Sequence, residues 1–291
     1  METVLLIFTV LLIEFVYEPI AILRNDQNIK KFYIIFNTFF KEFFEKKFLI
    51  YMSFVLFSVL AVIVIEAFLA TFIHWSLSFI FSFIILIYCL RPNEFNEKID
   101  DLKFIIKNKA KIEDDTLIKL LAVNIKVGSL SQKMFYAFAL NLFFSSTRNI
   151  FTVIFWFLLI GPGGALGYKI LDYFVFTKDL RIDQKSRNNI KDILALIEFI
   201  PIRLSSLAFA MVGNFEHAFK SWKEFDSNKR DLYQSNVELI NSIGSSSAQL
   251  IPNCNEEDIL EKISYIQTLV GRSLLAWLSI IMLLIFGGFF S

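Results

Sequence analysis

Cysteine, histidine and charge are all scarce in this sequence of 291 residues. The two cysteines, Cys89 and Cys254, lie far apart, and no disulfide framework follows from them. The two histidines, His74 and His217, belong to no Cys/His cluster with metal-ligand spacing, so we expect no metal site and no cofactor. Charged residues make up only 20% of the chain, and the net charge is +1. This charge is too small to produce the positive field on which nucleic-acid binding relies, so we expect no nucleic-acid partner.

Apolar residues are abundant instead. They make up 56% of the chain, with 35 Phe and a mean hydropathy of +0.58, and they are clustered in long runs that a single soluble core cannot absorb. The sequence therefore predicts an all-α, polytopic integral membrane protein with about four to five apolar spans. One span is expected to be broken at a Gly-Pro motif, and amphipathic helices are expected outside the membrane. The lipid bilayer is then the first partner that the sequence predicts.

Three stretches predict membrane spans from their length and their scarcity of charge. Residues 4–23 predict a retained N-terminal helix. A cleavable signal peptide needs a basic start and a small-residue cleavage site, and neither is visible in this stretch. Residues 48–90 contain no Lys, Arg or Asp and predict a membrane hairpin that turns near His74. Residues 273–290 predict a last span.

Amphipathic patterns occupy much of the remaining chain. Residues 29–44 have Phe, Tyr and Ile at helical spacing with lysines between them. This helix lies either along the bilayer surface or against the protein's own helices. Residues 91–134 predict two short amphipathic helices, and a semi-apolar helix at 190–212 is expected to be interrupted at Pro201.

A Gly-Pro break separates two apolar runs, at 150–160 and 165–176. Each run is too short to cross about 30 Å as a helix. Either a single kinked helix crosses the membrane here, or two half-helices enter and turn back. The break lacks the spacing and the Lys-Ser/Thr of a phosphate-binding loop, which favours a helix-breaking role over ligand contact.

The distribution of Lys and Arg predicts the orientation. Loop 24–47 holds six of them, whereas the turn near His74 holds none, so we expect the N terminus outside and loops 24–47 and 91–148 inside. The sequence does not decide on which side of the membrane residues 178–272 lie. The patterns divide the chain into an N-terminal membrane region (1–90), a polar helical loop (91–134), a core with the broken segment and a Pro-Arg helix (135–225), and polar helices with a C-terminal span (226–291).

Ionisable side chains in or beside apolar spans are candidates for function, because a charge in hydrocarbon is costly unless it is paired or wet. Glu14, Glu18 and Glu66 are the carboxylates of this kind. Either they line a polar cavity or proton path, or Glu14 and Glu18 lie near an interface and bond to Arg148 or Arg203. Each of these arginines either clamps a phosphate or carboxylate with its planar donor fork or forms a structural ion pair.

Two blocks of residues carry a family resemblance. The first runs from Arg148 to Lys169 and the second from Pro201 to Trp222, and their most specific parts are Phe155-Trp156-Phe157, Gly161-Pro162-Gly163-Gly164-Ala165-Leu166, Tyr168-Lys169, Pro201-Ile202-Arg203-Leu204 and Gly213-Asn214-Phe215. They resemble the AmpE family, inner-membrane proteins named for regulation of β-lactamase induction, most strongly over residues 135–225.

The resemblance implies a regulatory or signalling protein of the bacterial inner membrane, linked to cell-wall status, and it does not favour an enzyme. An anionic small molecule or cell-wall-derived ligand and a protein signalling partner are the further partners it implies. The retained cations predict an anionic ligand site at the membrane face, and its candidate residues are Arg148, Gly161, Pro162, Gly163, Gly164, Tyr168, Lys169 and Arg203.

The same blocks are shared with the CbiB/CobD family of membrane adenosylcobinamide-phosphate synthases, amide-forming enzymes of cobalamin biosynthesis. The chain departs from that family after Lys169, where it reads Ile-Leu-Asp-Tyr-Phe-Val-Phe in place of an Asn-Thr-Leu-Asp-Ser-Met-type segment. The N-terminal His-Pro element is replaced by Glu14 and Glu18-Pro19. An enzyme of this kind is therefore the alternative to the regulatory interpretation.

Overall fold

The computed structural model describes residues 2–16, 26–44, 46–91, 95–97, 99–100, 103, 132–226, 231–250 and 256–287, which are almost entirely helical and include no strand. This confirms the predicted all-α class. The α-helices are α1 (Glu2–Val16), α2 (Gln27–Phe40), α3 (Lys47–Phe68), α4 (Trp75–Cys89), α5 (Gln132–Ser146), α6 (Thr152–Ile160), α7 (Pro162–Phe176), α8 (Gln184–Val212), α9 (Phe215–Glu224), α10 (Leu232–Ser247) and α11 (Glu256–Phe286), and π-helical turns follow α3 (Leu69–Ile73) and α5 (Thr147–Phe151).

Four helical stretches of the described chain are long and apolar enough to cross a membrane. They are Lys47–Ile73, Tyr136–Ile160, Gln184–Val212 and Glu261–Leu283, and Trp75–Cys89 is a shorter apolar helix. The chain is thus a polytopic membrane protein, as predicted. The predicted first span is described only from residue 2 to 16, and most of the predicted loop helices at 91–134 lie outside the described residues.

The chain divides into two compact units. The first unit contains Met1–Arg91 and Thr152–Phe199, and the second contains Pro92–Phe151 and Ile200–Ser291. The finer division into four regions stays a prediction.

A helical hairpin forms the frame of the first unit. The π-helical end of α3 leads into His74, whose extended backbone (φ −166°) turns the chain, and the His74 ring accepts a hydrogen bond from the backbone N–H of Ser76 at 3.2 Å. Helix α4 then returns along α3. Large apolar side chains such as Leu56, Val64 and Phe72 are exposed on this hairpin, as expected for surfaces that face lipid.

Helix α2 packs one face against α3. Tyr33 stacks on Tyr51 with ring centroids 5.2 Å apart, and the ring of Phe36 meets that of Phe54 edge-on at 5.4 Å. Of the two arrangements predicted for this helix, contact with the protein's own helices is therefore present on this face.

The Gly-Pro break reverses the chain. An unbroken helix would separate Trp156 and Gly164 by about 12 Å along its axis. Instead, a Cβ atom built on Gly164 would lie 2.5 Å from the carbonyl oxygen of Trp156, so α6 and α7 form a tight hairpin. The sequence left a kinked helix and a reversal open, and the fold has the reversal.

The expectation that both arms of this break are short is wrong for the first arm. Helix continues from Tyr136 to Ile160 through the π-helical turn. Its polar residues are satisfied within the helix, because Ser146 and Thr147 both donate their hydroxyls to the carbonyl of Phe143, at 2.9 and 3.0 Å.

The predicted interruption at Pro201 is also absent, since α8 runs unbroken from Gln184 to Val212. Proline removes the N–H that would bond the carbonyl four residues earlier, which belongs to Ile197. The indole N–H of Trp156 donates to this carbonyl at 3.3 Å. The replacement bond removes one cost of keeping proline inside the helix.

Aromatic contacts hold the second unit together. The Phe209 ring lies 5.4 Å from Phe143 and 5.8 Å from Phe151, which in turn meets Trp277 at 5.4 Å. A Cβ atom at Gly244 would lie 2.5 Å from the Phe143 ring, so this glycine lets α10 pack directly on α5.

Candidate functional site

The reversal at Gly161 lies beside Glu66 in the first unit. Gly161 has φ +75°, a conformation that favours glycine. A Cβ atom at this position would lie 3.5 Å from Glu66 Oε2. The other carboxylate oxygen of Glu66 accepts a hydrogen bond from the Ser82 hydroxyl at 2.9 Å. Glu66 and Ser82 each lie eight residues from His74. The reversal at Gly161 therefore lies about 12 Å along the α3–α4 hairpin from the turn at His74.

Close packing accounts for the rest of the Gly-Pro motif. Pro162 begins α7, where its missing N–H costs nothing. A Cβ atom at Gly163 would lie 2.9 Å from the Ile63 side chain, and one at Gly164 would lie 2.8 Å from Ile160. These glycines therefore bring α7 close to α3 and α6, and their role in ligand contact stays a prediction.

Tyr168 is buried next to a carboxylate that the sequence analysis did not single out. Its hydroxyl donates to Glu198 Oε1 at 2.9 Å, and Glu198 is fully buried on α8. Burying a carboxyl group is costly without hydrogen bonds, so this bond satisfies one of its oxygens and also fixes α7 to α8.

Lys169 lies in a buried ion pair. Its Nζ is 3.8 Å from Asp172 Oδ2, and the two side chains are only 5% and 11% exposed. A second ion pair in the same unit joins Arg91, at the end of α4, to Asp26, at the start of α2. The four charges balance, which is the arrangement expected of a structural network.

Arg203 belongs to the second unit. Its Nη1 donates to Asn236 Oδ1 at 3.2 Å, and Asn236 is buried on α10. Ser206 lies one turn further along the same face of α8, and Ser235 precedes Asn236. Both serines are buried, and among the described atoms their hydroxyls have no hydrogen-bond partner.

Arg148 also lies in the second unit, in the π-helical turn after α5. Its guanidinium lies 5.3 Å from the centroid of the Phe144 ring, and Phe144 meets Tyr233 edge-on at 6.2 Å. Tyr233 precedes Asn236 by three residues on α10. Arg148 and Arg203 are therefore brought towards the same end of α10.

The predicted site residues thus fall into two groups. Gly161, Pro162, Gly163, Gly164, Tyr168, Lys169 and Glu66 lie in the first unit, whereas Arg148 and Arg203 lie in the second. Helix α1 includes Glu14, whose side chain is outside the described residues, as is Glu18. No cluster of His, Cys, Asp and Glu in the described part of the chain could hold a metal ion.

The partners of these residues were not predicted from the sequence. Asp172 could have been found, because it follows Lys169 by three residues and a helix brings such positions together. Glu198 interrupts an apolar run, which is a weaker signal. Asn236 is 33 residues from Arg203, and no local pattern connects the two.

A polar cleft of about 350 Å³ lies elsewhere in the second unit, where α8 and α10 end and α11 begins. Asn214, Gln249, Glu261, Lys262 and Tyr265 line it, together with Gly213 and Ala248. Gln249 has φ +50°, an uncommon conformation for a residue other than glycine. Its carbonyl accepts a hydrogen bond from Lys262 Nζ at 3.4 Å.

Comparison with known proteins supports one family. No curated protein and no solved structure matches the chain. A family model described as "Regulatory signalling modulator protein AmpE" matches residues 5–249, which include every described residue of both groups. The chain belongs to the AmpE family and is a regulatory membrane protein.

Proposed function

We propose that this protein modulates β-lactamase induction from the bacterial inner membrane by binding an anionic, cell-wall-derived ligand through Arg203. The support for the regulatory part is the family. The support for the ligand is the polar interior of the second unit, where buried serine hydroxyls that find no hydrogen-bond partner among the described residues flank Arg203 and Asn236.

The surroundings of Arg203 support a ligand-binding role for this polar interior. Helix α8 exposes an apolar stripe that includes Leu204, Leu207 and Met211, while Ser205 and Ser206 are buried. Ionisable groups in such helices face protein or a polar cavity and often mark ligand or ion pathways. A guanidinium can hold a carboxylate or phosphate by two parallel hydrogen bonds, and hydroxyls such as those of Ser206 and Ser235 can donate to the remaining oxygens.

Hydroxyl groups buried without a partner cost about 1–3 kcal/mol each. A bound anion would recover part of this cost, because it accepts hydrogen bonds from the serines and from the arginine. Arg148 lies towards the same end of α10 and adds positive charge there. The lysine of the first unit is balanced by Asp172, so we assign it a structural role.

A deletion strain with the gene restored tests the proposal. We expect deletion to change β-lactamase induction and the wild-type gene to reverse the change. Arg203→Gln should fail to reverse it, and Arg203→Lys should do so only in part, because lysine keeps the charge and loses the planar fork. Arg181→Gln, which removes an exposed arginine before α8, is the matched control and should behave as wild type.

Binding is measured separately with purified protein and an N-acetylmuramyl peptide as the probe. The probe should raise the midpoint of thermal unfolding in wild type and in Arg181→Gln but not in Arg203→Gln. Normal induction by a folded protein with Arg148→Gln and Arg203→Gln would overturn the ligand site. Loss of corrinoid-dependent growth on deletion would overturn the regulatory proposal in favour of a cobinamide synthase.

A further inference from the structure

Helix α2 has a second apolar face that the described part of the chain leaves uncovered. Its inner face, with Ile29, Tyr33 and Phe36, is buried against α3. The outer face is strongly exposed, at 66% for Phe32 and 71% for Phe39, and continues to Phe43, which is 79% exposed. Single exposed apolar residues are ordinary, but a contiguous aromatic face marks an interaction surface.

Lysines lie on the side of α2 opposite to these phenylalanines. Lys30 precedes Phe32 by two residues and Lys41 follows Phe39 by two. At about 100° per residue, each lysine therefore points about 160–200° away from its phenylalanine. An apolar face opposed to a basic face is the pattern of a helix that lies in the boundary of a bilayer.

The charge around α2 favours an anionic occupant. Residues 26–47 hold five lysines and three acidic residues, and one of the acids, Asp26, is paired with Arg91. The remaining surface is therefore basic. Lys46 and Lys47 lie where α2 is joined to the membrane span that begins at Lys47.

The outer face of α2 is continuous with the apolar surface of α3. On α3, Phe57 is exposed, as are Leu56 and Leu60 beside it, and its ring lies 5.5 Å from that of Phe36 at the edge of the inner face. Phe36 stacks on Phe40 at 4.5 Å, and the Phe40 ring lies 6.2 Å from that of Phe43 on the outer face. Since α3 is long and apolar enough to span the membrane, its exposed side chains face lipid. The same lipid would then reach the phenylalanines of α2.

We propose that α2 is a binding surface for anionic phospholipids at the membrane boundary. Phe32, Phe39 and Phe43 insert between acyl chains, while Lys30 and Lys41 bind the phosphate groups of the lipid headgroups. The long lysine stems extend from the apolar layer towards the headgroups, which lets one helix satisfy both environments.

Spin labels on single cysteines test the placement of α2. Phe39→Cys and Lys41→Cys are introduced into a Cys89→Ala, Cys254→Ala background, and each label's collision rates with oxygen and with a water-soluble nickel chelate are measured in lipid vesicles. Val64→Cys on the hairpin serves as the lipid-exposed control, and Lys185→Cys as the water-exposed control.

We expect the label at position 39 to favour oxygen, as at position 64, and the label at position 41 to favour the nickel chelate. A label at position 39 that behaves like the one at 185 would overturn the proposal, because α2 would then lie in water. Protection from both reagents would also overturn it, since a second copy or another protein would then cover this face.

Lipid selectivity tests the lysines. Protein is extracted from vesicles of phosphatidylcholine and phosphatidylglycerol, and the ratio of the two co-purified lipids is measured. Wild type should retain phosphatidylglycerol several-fold above its share in the vesicles, and K30Q/K31Q/K41Q should lose this enrichment. The matched triple variant R181Q/K185Q/K191Q removes the same charge elsewhere and should keep it. Equal enrichment in both triple variants would contradict the role of the α2 lysines.

Discussion

Trp156 donates its indole N–H to the backbone carbonyl of Ile197 over 3.3 Å, one turn before Pro201 in α8. The bond joins α6 to α8 at the one carbonyl whose helical donor proline has removed. We expect Trp156→Phe, which keeps an aromatic ring and loses the donor, to lower the free energy of unfolding by about 1 kcal/mol. Thermal unfolding in a fixed detergent measures the change.

A second background isolates this bond. Pro201→Ala restores an N–H to α8, so the carbonyl of Ile197 regains a partner within the helix. Trp156→Phe should then cost less than it does in the wild-type background. Equal costs in both backgrounds would show that the tryptophan acts through packing and not through its hydrogen bond.

Replacement of two helical glycines by alanine should change the stability of the protein in opposite directions. A Cβ atom at Gly164 would meet the Trp156 carbonyl at 2.5 Å, whereas no atom of the described residues lies within 4 Å of one at Gly271 in α11. Gly164→Ala forces apart two backbones and should cost at least about 1–3 kcal/mol. Gly271→Ala should stabilise the protein by about 0.5–1 kcal/mol, because alanine restricts the unfolded chain and favours helix.

Yield of monodisperse protein and unfolding midpoints measure both glycine variants. A neutral Gly164→Ala would contradict the tight hairpin between α6 and α7. Destabilisation by Gly271→Ala would mean that another surface covers this part of α11.

The buried pair of Lys169 and Asp172 should show strong coupling. Lys169→Met leaves a carboxylate buried without its cation, and we expect a cost of about 3 kcal/mol. Asp172→Leu leaves the ammonium in the same position. The double variant replaces both charges with apolar groups and should be more stable than either single variant. Additive losses would mean that the two side chains act independently.

The Asp183 carboxylate at the start of α8 should make the free energy of unfolding depend on pH in the acidic range. The backbone N–H of Ser186 donates to the carboxylate of Asp183 at 3.0 Å, and this bond lowers the pKa of Asp183 below its ordinary value. A lowered pKa means that the stabilisation is complete above the unfolded-state pKa of about 3.9 and is lost as the pH falls through the folded-state pKa.

Asp183→Ala measures this contribution. Loss of a helix cap typically costs about 1 kcal/mol, so the variant should unfold at a lower temperature between about pH 5 and pH 8. The difference from wild type should shrink below about pH 4, where the wild-type carboxylate becomes protonated. A difference that is constant down to pH 2 would contradict the role of the charge.

Local pattern was sufficient to predict the hairpin of α3 and α4. The run between residues 48 and 90 contains no Lys, Arg or Asp and only Glu66 among the acidic residues, and the chain turns near its middle, at His74. Run length and charge are properties of neighbouring residues, so the sequence displays them directly.

Local pattern was not sufficient to predict the helix that ends at Ile160. Its apolar run is interrupted by Ser145, Ser146 and Thr147, which resemble the end of a span. In the fold, Ser146 and Thr147 bond back to Phe143, so the polar residues do not end the helix. The composition alone does not distinguish a polar residue that ends a span from one whose hydroxyl is satisfied inside it.

The candidate site was predictable only one residue at a time. Arg203 stood out as a charged residue between apolar positions, and Tyr168 as part of a block that resembles the family. Their partners Asn236 and Glu198 are 33 and 30 residues away. Contacts over such separations depend on how helices cross, which no local spacing encodes.

The short return arm α7 has a consequence for how the protein is made. It is 15 residues long and carries Lys169 and Asp172, so it is too short and too polar to remain alone in lipid as a spanning helix. The helices with which it has its most extensive contacts, α3, α4 and α6, all precede it in the chain. When α7 leaves the ribosome, most of its docking surface has therefore already been synthesised, and we expect the helix to enter the membrane by joining protein that is already inserted there.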